Sequence, residues 1–391
     1  MILLSRMRKA LLVTSKWLII LLSYSQITFA SNDNNHNKEN TVQPLFNSQA
    51  QAQPQTMRLD YFHTGDANSE VFSLDQLVIE PLAFAGNLKQ PLDKQPRGKY
   101  LFEIWPQAKT AKPYYSRSFS SIYGEWETTG EAKKIKRTLH ESLRFPKPDG
   151  KFKVVIKKRD SSNQFQAVWS IALDPNDYLV HQEQANYSDQ LIAIEKNGDP
   201  ANKVDLLILG DGYTAAEQPE FAAKARELSQ AFLASYPFSK RRNDFNIWAL
   251  APNAKESGVS RPSTGIYKDS PLGVTYDAFR SERYVLTYDN KSWRRVASSS
   301  PYDAVIILTN SETYGGGGIY GLYSTVAANS DWADYLFIHE FGHHFVGLAD
   351  EYYTSSVAYE ETGGIKEPYE PNVTALLEPD NIKWKHLVTE N

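Results

Sequence analysis

His339, Glu340 and His343 stand in the order His-Glu-x-x-His, and their types and spacing point to one chemistry. On an α-helix, four residues turn the side-chain direction by about 400°. The two histidines therefore share a face, one turn apart, and both imidazoles can bind one Zn2+ at about 2.0–2.1 Å. Glu340 is offset by about 100°. It can sit beside a coordination position left open by the protein and accept a proton from a metal-activated water. The pattern predicts metal-assisted hydrolysis with Glu340 as general base. A surface helix carrying satisfied histidines is the plainer reading, and the apolar run Tyr335-Leu-Phe-Ile338 just before the motif weighs against it. His344 points about 100° away from His343. It is expected to brace or pack the helix rather than bind metal.

The chain has no cysteine, which leaves histidines and carboxylates as zinc ligands. A third ligand should follow His343. On a straight helix Asp350 would share the histidine face but lie about 10 Å further along the axis. Gly347 can adopt a positive φ and reverse the chain, bringing a later side chain back. Asp350 is the leading candidate and Glu351 the next, with both merely bracing the turn as the third option.

The elements that must position these residues read as two regions of an α+β protein. Met57 to about Val180 is β-like. Runs such as Lys99–Trp105, Lys151–Ile156 and Phe165–Ile171 are separated by turn signals such as Pro148-Asp149-Gly150. They predict a β-sandwich-like domain over 57–185. His181 to Asp199 reads as a linker. A second domain over 190–391 alternates strands and helices. Val204–Leu209, Phe245–Leu250, Asp303–Leu308 and Ile319–Ala327 are expected strands; Pro219 to about Ser235 and Trp332 to about Leu348 are expected helices.

Before both lie Ser31 to residue 56, an Asn/Gln/Ser-rich stretch expected to be a disordered spacer, and residues 1–30. The latter carry Arg6, Arg8 and Lys9, an apolar run interrupted by Lys16, and small residues before Ser31. They predict a secretory signal, with a periplasmic or extracellular mature protein and no stable membrane insertion after cleavage; an uncleaved anchor is the alternative. Net charge is −4 and the pI about 6.1, without a basic block after the N-terminus, which argues against nucleic acid as a partner.

Other features carry two readings each. The glycines at 315–318 allow either a close backbone approach beside a cleft or a flexible loop. Ile319–Ala327 either pairs with an extended substrate peptide or is interior. Asp211, between two glycines, suits a turn. Tyr352 or Tyr353 either donates to an oxyanion or packs. The aromatic cluster from Tyr114 to Trp126 either packs a core or binds carbohydrate. Asn372-Val-Thr374 is a glycosylation-type triplet.

The run from His339 to Tyr353 closely resembles the zinc motif of the IgA-peptidase family of metallopeptidases, peptidase family sixty-four. Leu207–Gln218, Glu256–Val259 and Tyr314–Gly321 resemble the same family. Tyr115–Thr129 and His140–Pro146 resemble its N-terminal domain, so the likeness covers about Met57 to Val388. It implies a β-rich domain followed by a metzincin-like zinc-peptidase domain acting on a protein or peptide. In that reading His339, His343 and Asp350 bind Zn2+ and Glu340 is the general base. The three methionines are Met1, Met7 and Met57, so none supplies the methionine turn usual beneath such a metal. The expectation from this departure is a truncated, split or degenerate member. Its alternative role is that of a catalytically impaired protein- or glycan-binding module.

Overall fold

Alternation along β1 (Gln55–Gly65) sets the architecture of the first half. Met57, Leu59 and Tyr61 bury one face of this strand, while Thr56, Arg58 and Asp60 bury the other. A strand buried on both sides must be covered twice. The computed structural model of the chain describes residues 53–107, 112–351 and 367–388 and shows both covers.

The apolar face of β1 meets a second sheet. One sheet runs β5-β1-β2-β8, with β2 at Glu70–Ala83, β5 at Arg137–Pro146 and β8 at His181–Gln182. The other runs β4-β3-β6-β7, with β3 at Tyr100–Pro106, β4 at Tyr115–Phe119, β6 at Phe152–Arg159 and β7 at Phe165–Leu173. Met57, Leu59, Phe102, Ile104, Phe145 and Val154 share the core between them. The charged residues on the polar face of β1 are paired internally. Arg58 donates to Asp60 at 2.9 Å, to Glu80 at 3.1 Å and to Glu183 at 2.9 Å. Buried charge persists only when paired in this way.

The second half is built on a six-stranded sheet in the order β15-β16-β14-β10-β11-β9. Its central strands are parallel: β10 (Val204–Asp211), β11 (Phe245–Leu250), β14 (Ala304–Thr309) and β16 (Tyr323–Ala327). Such strands are predominantly apolar because both faces are covered. The edges β9 (Ile192–Glu195) and β15 (Gly316–Ile319) are antiparallel to their neighbours. A two-stranded ribbon, β12 (Val274–Thr275) with β13 (Leu286–Thr287), stands apart.

One face of this sheet packs on α2 (Gln218–Ala234) and α4 (Ala333–Phe341), through Phe221, Leu228 and Phe232 against Leu336, Phe337 and Phe341. The opposite face carries Leu207, Leu209, Leu250 and Ile307. It is covered partly by Trp293 of α3 (Asn290–Ala297) and partly by Ile122, Tyr123 and Trp126 of α1 (Ile122–Trp126), a helix of the first half. Each such buried aromatic contributes on the order of 1.5–3 kcal/mol. The two halves therefore share a core, and α1 reaches the wall of the functional cleft through it.

Four sequence expectations change. Residues 181–199 do more than link, since β8 and β9 in that span each extend a sheet. Strand β1 begins before Met57, because Gln55 and Thr56, assigned to the spacer, already pair in it. The span Ile319–Ala327 is two strands, β15 and β16 forming a hairpin through Gly321 at φ 71°. The helix expected to run to Leu348 is α-helical only to Phe341 and continues as a π-helical turn over Gly342–Val346. The signal segment and most of the spacer lie outside the described residues. Among the described residues no helix is long and apolar enough to cross a membrane.

Candidate metal centre

Helix α4 is anchored through its apolar face. Phe341 stacks edge-on against Phe232 of α2 at 5.0 Å between ring centroids. This packing turns His339, Glu340 and His343 toward a cleft of about 480 Å3, also lined by Asp350, Gly316–Gly318 and Glu125. In the π-helical turn that follows, His343 and His344 take opposite duties.

Gly347, at φ 72°, ends the turn in the left-handed region that glycine tolerates best. The amide of Leu348 then reaches back to the Gly342 carbonyl at 3.3 Å, and the chain reverses. Two consequences follow for the side chains. The Nδ1–H of His343 donates to the Leu348 carbonyl at 2.6 Å, which aims its Nε2 into the cleft. The Asp350 Oδ1 arrives 3.2 Å from the Nε2 of His339 and 3.2 Å from that of His343. The two Nε2 atoms are themselves 3.0 Å apart.

Three ligand-type atoms thus form a nearly equilateral triangle. In a tetrahedral site with bonds of about 2.0–2.1 Å, ligand atoms stand about 3.3–3.4 Å apart. A zinc ion would need the triangle to open by only a few tenths of an ångström, so the residues fit the metal. Their electrostatics agree. Burial opposes charge on His343, but its hydrogen bond to Asp350, the nearby charges of Glu340 and Asp350 and the Leu348 carbonyl together outweigh it, and the pKa is pushed up to about 9. Burial also acts to raise Asp350, yet the two histidines pull it well below the usual carboxylate range. This is a cluster that attracts positive charge.

Glu340 is 8% exposed and adjoins this triangle. Burial raises its pKa, against the attraction of His343 and His339. A base of raised pKa in a cleft is the type of group that general-base chemistry needs. The space for it is made by glycines. A Cβ on Gly316 would come within 2.9 Å of the Glu340 Oε1, and one on Gly318 within 2.5 Å of its backbone oxygen. The glycine run is therefore the edge strand β15 laid against α4. The strand behind it, β16, is interior between β14 and β15. On the outer side of β15, Gly316 already exchanges hydrogen bonds of 3.1 Å with the Arg283 carbonyl and the Val285 amide.

Glu351 faces elsewhere. Its Oε1 accepts from the Asn372 Nδ2 at 3.1 Å. The same Asn372 clamps the loop, accepting from the Ala349 amide at 2.9 Å and donating to the Ala349 carbonyl at 2.8 Å. Its amide is thus fully engaged in holding the residue before Asp350, a role the glycosylation-type reading of this triplet missed. Nothing in the local sequence signals a clamp made from 23 residues downstream. Asn372→Ala should weaken zinc affinity about 10–100-fold, the usual cost of losing a group that orients a metal ligand. Competition with a chromophoric chelator measures this; an unchanged affinity would remove Asn372 from the site.

His344 is buried and neutral. Its Nδ1–H donates to the Ile319 carbonyl and its Nε2 accepts from the Val305 amide, both at 3.1 Å, so it staples β15 to β14 behind the cleft. Burial pushes its pKa down to about 4, consistent with the neutral ring. Asp211 is buried at the end of β10 and accepts from Ser270, Leu272 and Val274, fixing a turn. Tyr115, Tyr123 and Trp126 are buried core residues, with no ring face offered to carbohydrate. Tyr352 and Tyr353 lie outside the described residues. A second cluster, Asp60, Asp75 and His140, is already neutralised by Arg58 on Asp60 and Lys291 on Asp75.

Two family models match the chain. One, described as IgA Peptidase M64, covers residues 192–391; the other, described as Peptidase M64 N-terminus, covers residues 46–170. No curated protein matches it.

Proposed function

Because the chain belongs to the IgA peptidase M64 family, we propose that it is an exported zinc-dependent peptidase with Glu340 as general base. Membership makes it a peptidase with protein or peptide substrates. The zinc dependence is our reading, and the observation that carries it is the triangle of His339, His343 and Asp350 atoms at 3.0–3.2 Å. We further read the six-stranded sheet with α2 and α4 as a metzincin-like catalytic domain over 190–391, preceded by a sandwich domain over 57–185. Export rests on the basic and apolar character of residues 1–30.

When bound, zinc would acidify a water and polarise the scissile carbonyl. The protein's own residues supply the rest. Glu340, held beside the ligand triangle, takes the proton of the attacking water and returns it to the leaving amine. The Leu348 carbonyl fixes the His343 ring so that Nε2 faces the reaction. An extended substrate backbone would pair along β15 beyond Gly316, whose outer side is already engaged by Arg283 and Val285. Edge-strand pairing of this kind gives affinity without side-chain selectivity.

Purified full-length chain should carry about one zinc, cleave casein or gelatin, lose cleavage on chelation and regain it with added zinc. Folded protein that holds no zinc and stays inert after zinc addition would defeat the proposal.

A further inference from the structure

The cleft is not built by the second half alone. Glu125, on α1 of the first half, lines it together with Glu340 and the metal-ligand candidates. Helix α1 is short but firmly set. Its N-cap Ser121 accepts from the Gly124 amide at 3.0 Å, and Ile122, Tyr123 and Trp126 are buried around Glu125. The Glu125 carboxylate accepts a hydrogen bond from the hydroxyl of Tyr284, a residue of the second half. The Tyr284 ring in turn covers Gly317, where a Cβ would stand 2.5 Å from it.

Among the described residues no ion pair reaches the Glu125 carboxylate. The neighbouring ammonium of Lys99 is committed to the Glu127 carboxylate at 2.5 Å and to the Gly124 carbonyl at 2.8 Å. Burial pushes the Glu125 pKa up to about 7, despite the Tyr284 hydrogen bond and the pull of the His343 and Lys99 charges, with Glu340 adding repulsion. A half-buried carboxylate that forms no ion pair is costly. In a substrate cleft, that cost is recovered when a cation enters.

We propose that Glu125 is a specificity residue, receiving a cationic group of the substrate beside the scissile bond: a Lys or Arg side chain, or a free α-ammonium. The inference rests on the peptidase reading of the same cleft. It makes the first half part of the substrate site rather than an appendage. A simpler role would be a clamp, in which the bond to Tyr284 only ties the halves together. Glu125→Gln separates the two, because the amide oxygen still accepts from Tyr284 while the charge is gone.

Two measurements test it on the full chain. In the first, wild type and Glu125→Gln are compared on peptide libraries with free and acetylated N-termini. Wild type should favour peptides with Lys or Arg at one subsite, or with a free N-terminus, by at least tenfold in kcat/KM over neutral peptides. The variant should lose that preference, mainly through KM. Persistence of the preference with acetylated peptides identifies the side chain as the ligand; its disappearance identifies the α-ammonium. No preference in wild type, or an equal one in the variant, overturns the proposal. In the second, benzamidine and its neutral isostere benzamide are titrated calorimetrically into both proteins. Benzamidine should bind wild type at least tenfold more tightly than benzamide, and the variant should not discriminate. Discrimination that depends on Glu125 in a protein without hydrolytic activity would leave this site standing while the peptidase reading falls; equal binding of both probes by wild type would overturn the site itself.

Discussion

Replacing Glu340 with Gln is expected to lower kcat/KM for peptide hydrolysis by about 10²–10⁴-fold, the usual contribution of a positioned general base. Zinc content should stay near one per chain, since Glu340 is not one of the three converging ligands. Glutamine keeps the side-chain volume that the glycines of β15 accommodate, where a Cβ at Gly316 would come within 2.9 Å of the Oε1 atom. The fold should therefore persist, with an unchanged melting temperature. The loss should fall on kcat, because the proton transfer is made only in the transition state. Loss of zinc together with activity would show that Glu340 holds the metal site up rather than moving a proton. Retention of full activity would remove it from the mechanism.

Gly318→Ala should be nearly as damaging by another route. The added Cβ would meet the Glu340 backbone oxygen at 2.5 Å and the His343 Cβ at 2.8 Å, neither of which is the free end of a flexible side chain. Overpacking of this kind costs about 1–3 kcal/mol. At about 2–4 °C per kcal/mol for a domain of this size, melting should fall by several degrees. Relief of the contact requires β15 and α4 to separate, which spreads the ligand triangle and weakens zinc binding. Gly150→Ala is the control, because no atom lies within 4 Å of its added Cβ. Thermal unfolding and zinc titration of the two variants provide the comparison. A Gly318→Ala protein that melts and binds zinc like wild type would refute the close-approach role of the glycine strand.

The pattern of the sequence made the centre of the site legible, because its logic is local. Histidines four apart share a helix face, and Gly347 provides the reversal that brings Asp350 back. The longer buried strands were legible for the same reason, as runs such as Val204–Leu209 exceed what a loop would bury. What escaped depends on contacts distant in sequence. The two-residue β8 and four-residue β9 are too short to show a period, and they exist because β2 and β11 offer edges. The π-helical turn at Gly342–Val346 adds a residue to a helix whose composition predicts ordinary spacing. Asn372 reads as a modification triplet until the loop before Asp350 folds against it. Glu125 lies in a region whose aromatics suggested only core or surface. Its place in the cleft follows from the docking of α1 on the second sheet.

That docking bears on how such a protein can be inherited or engineered. Ile122, Tyr123 and Trp126 pack among Leu207, Leu250 and Trp293, so the seam seen between the two matched regions is not a seam in the packing. A chimera joining the sandwich of one relative to the catalytic half of another would have to keep both sides of a single jigsaw, not just a compatible linker. Selection on the cleft wall at Glu125 is likewise tied to selection on the interior beneath it.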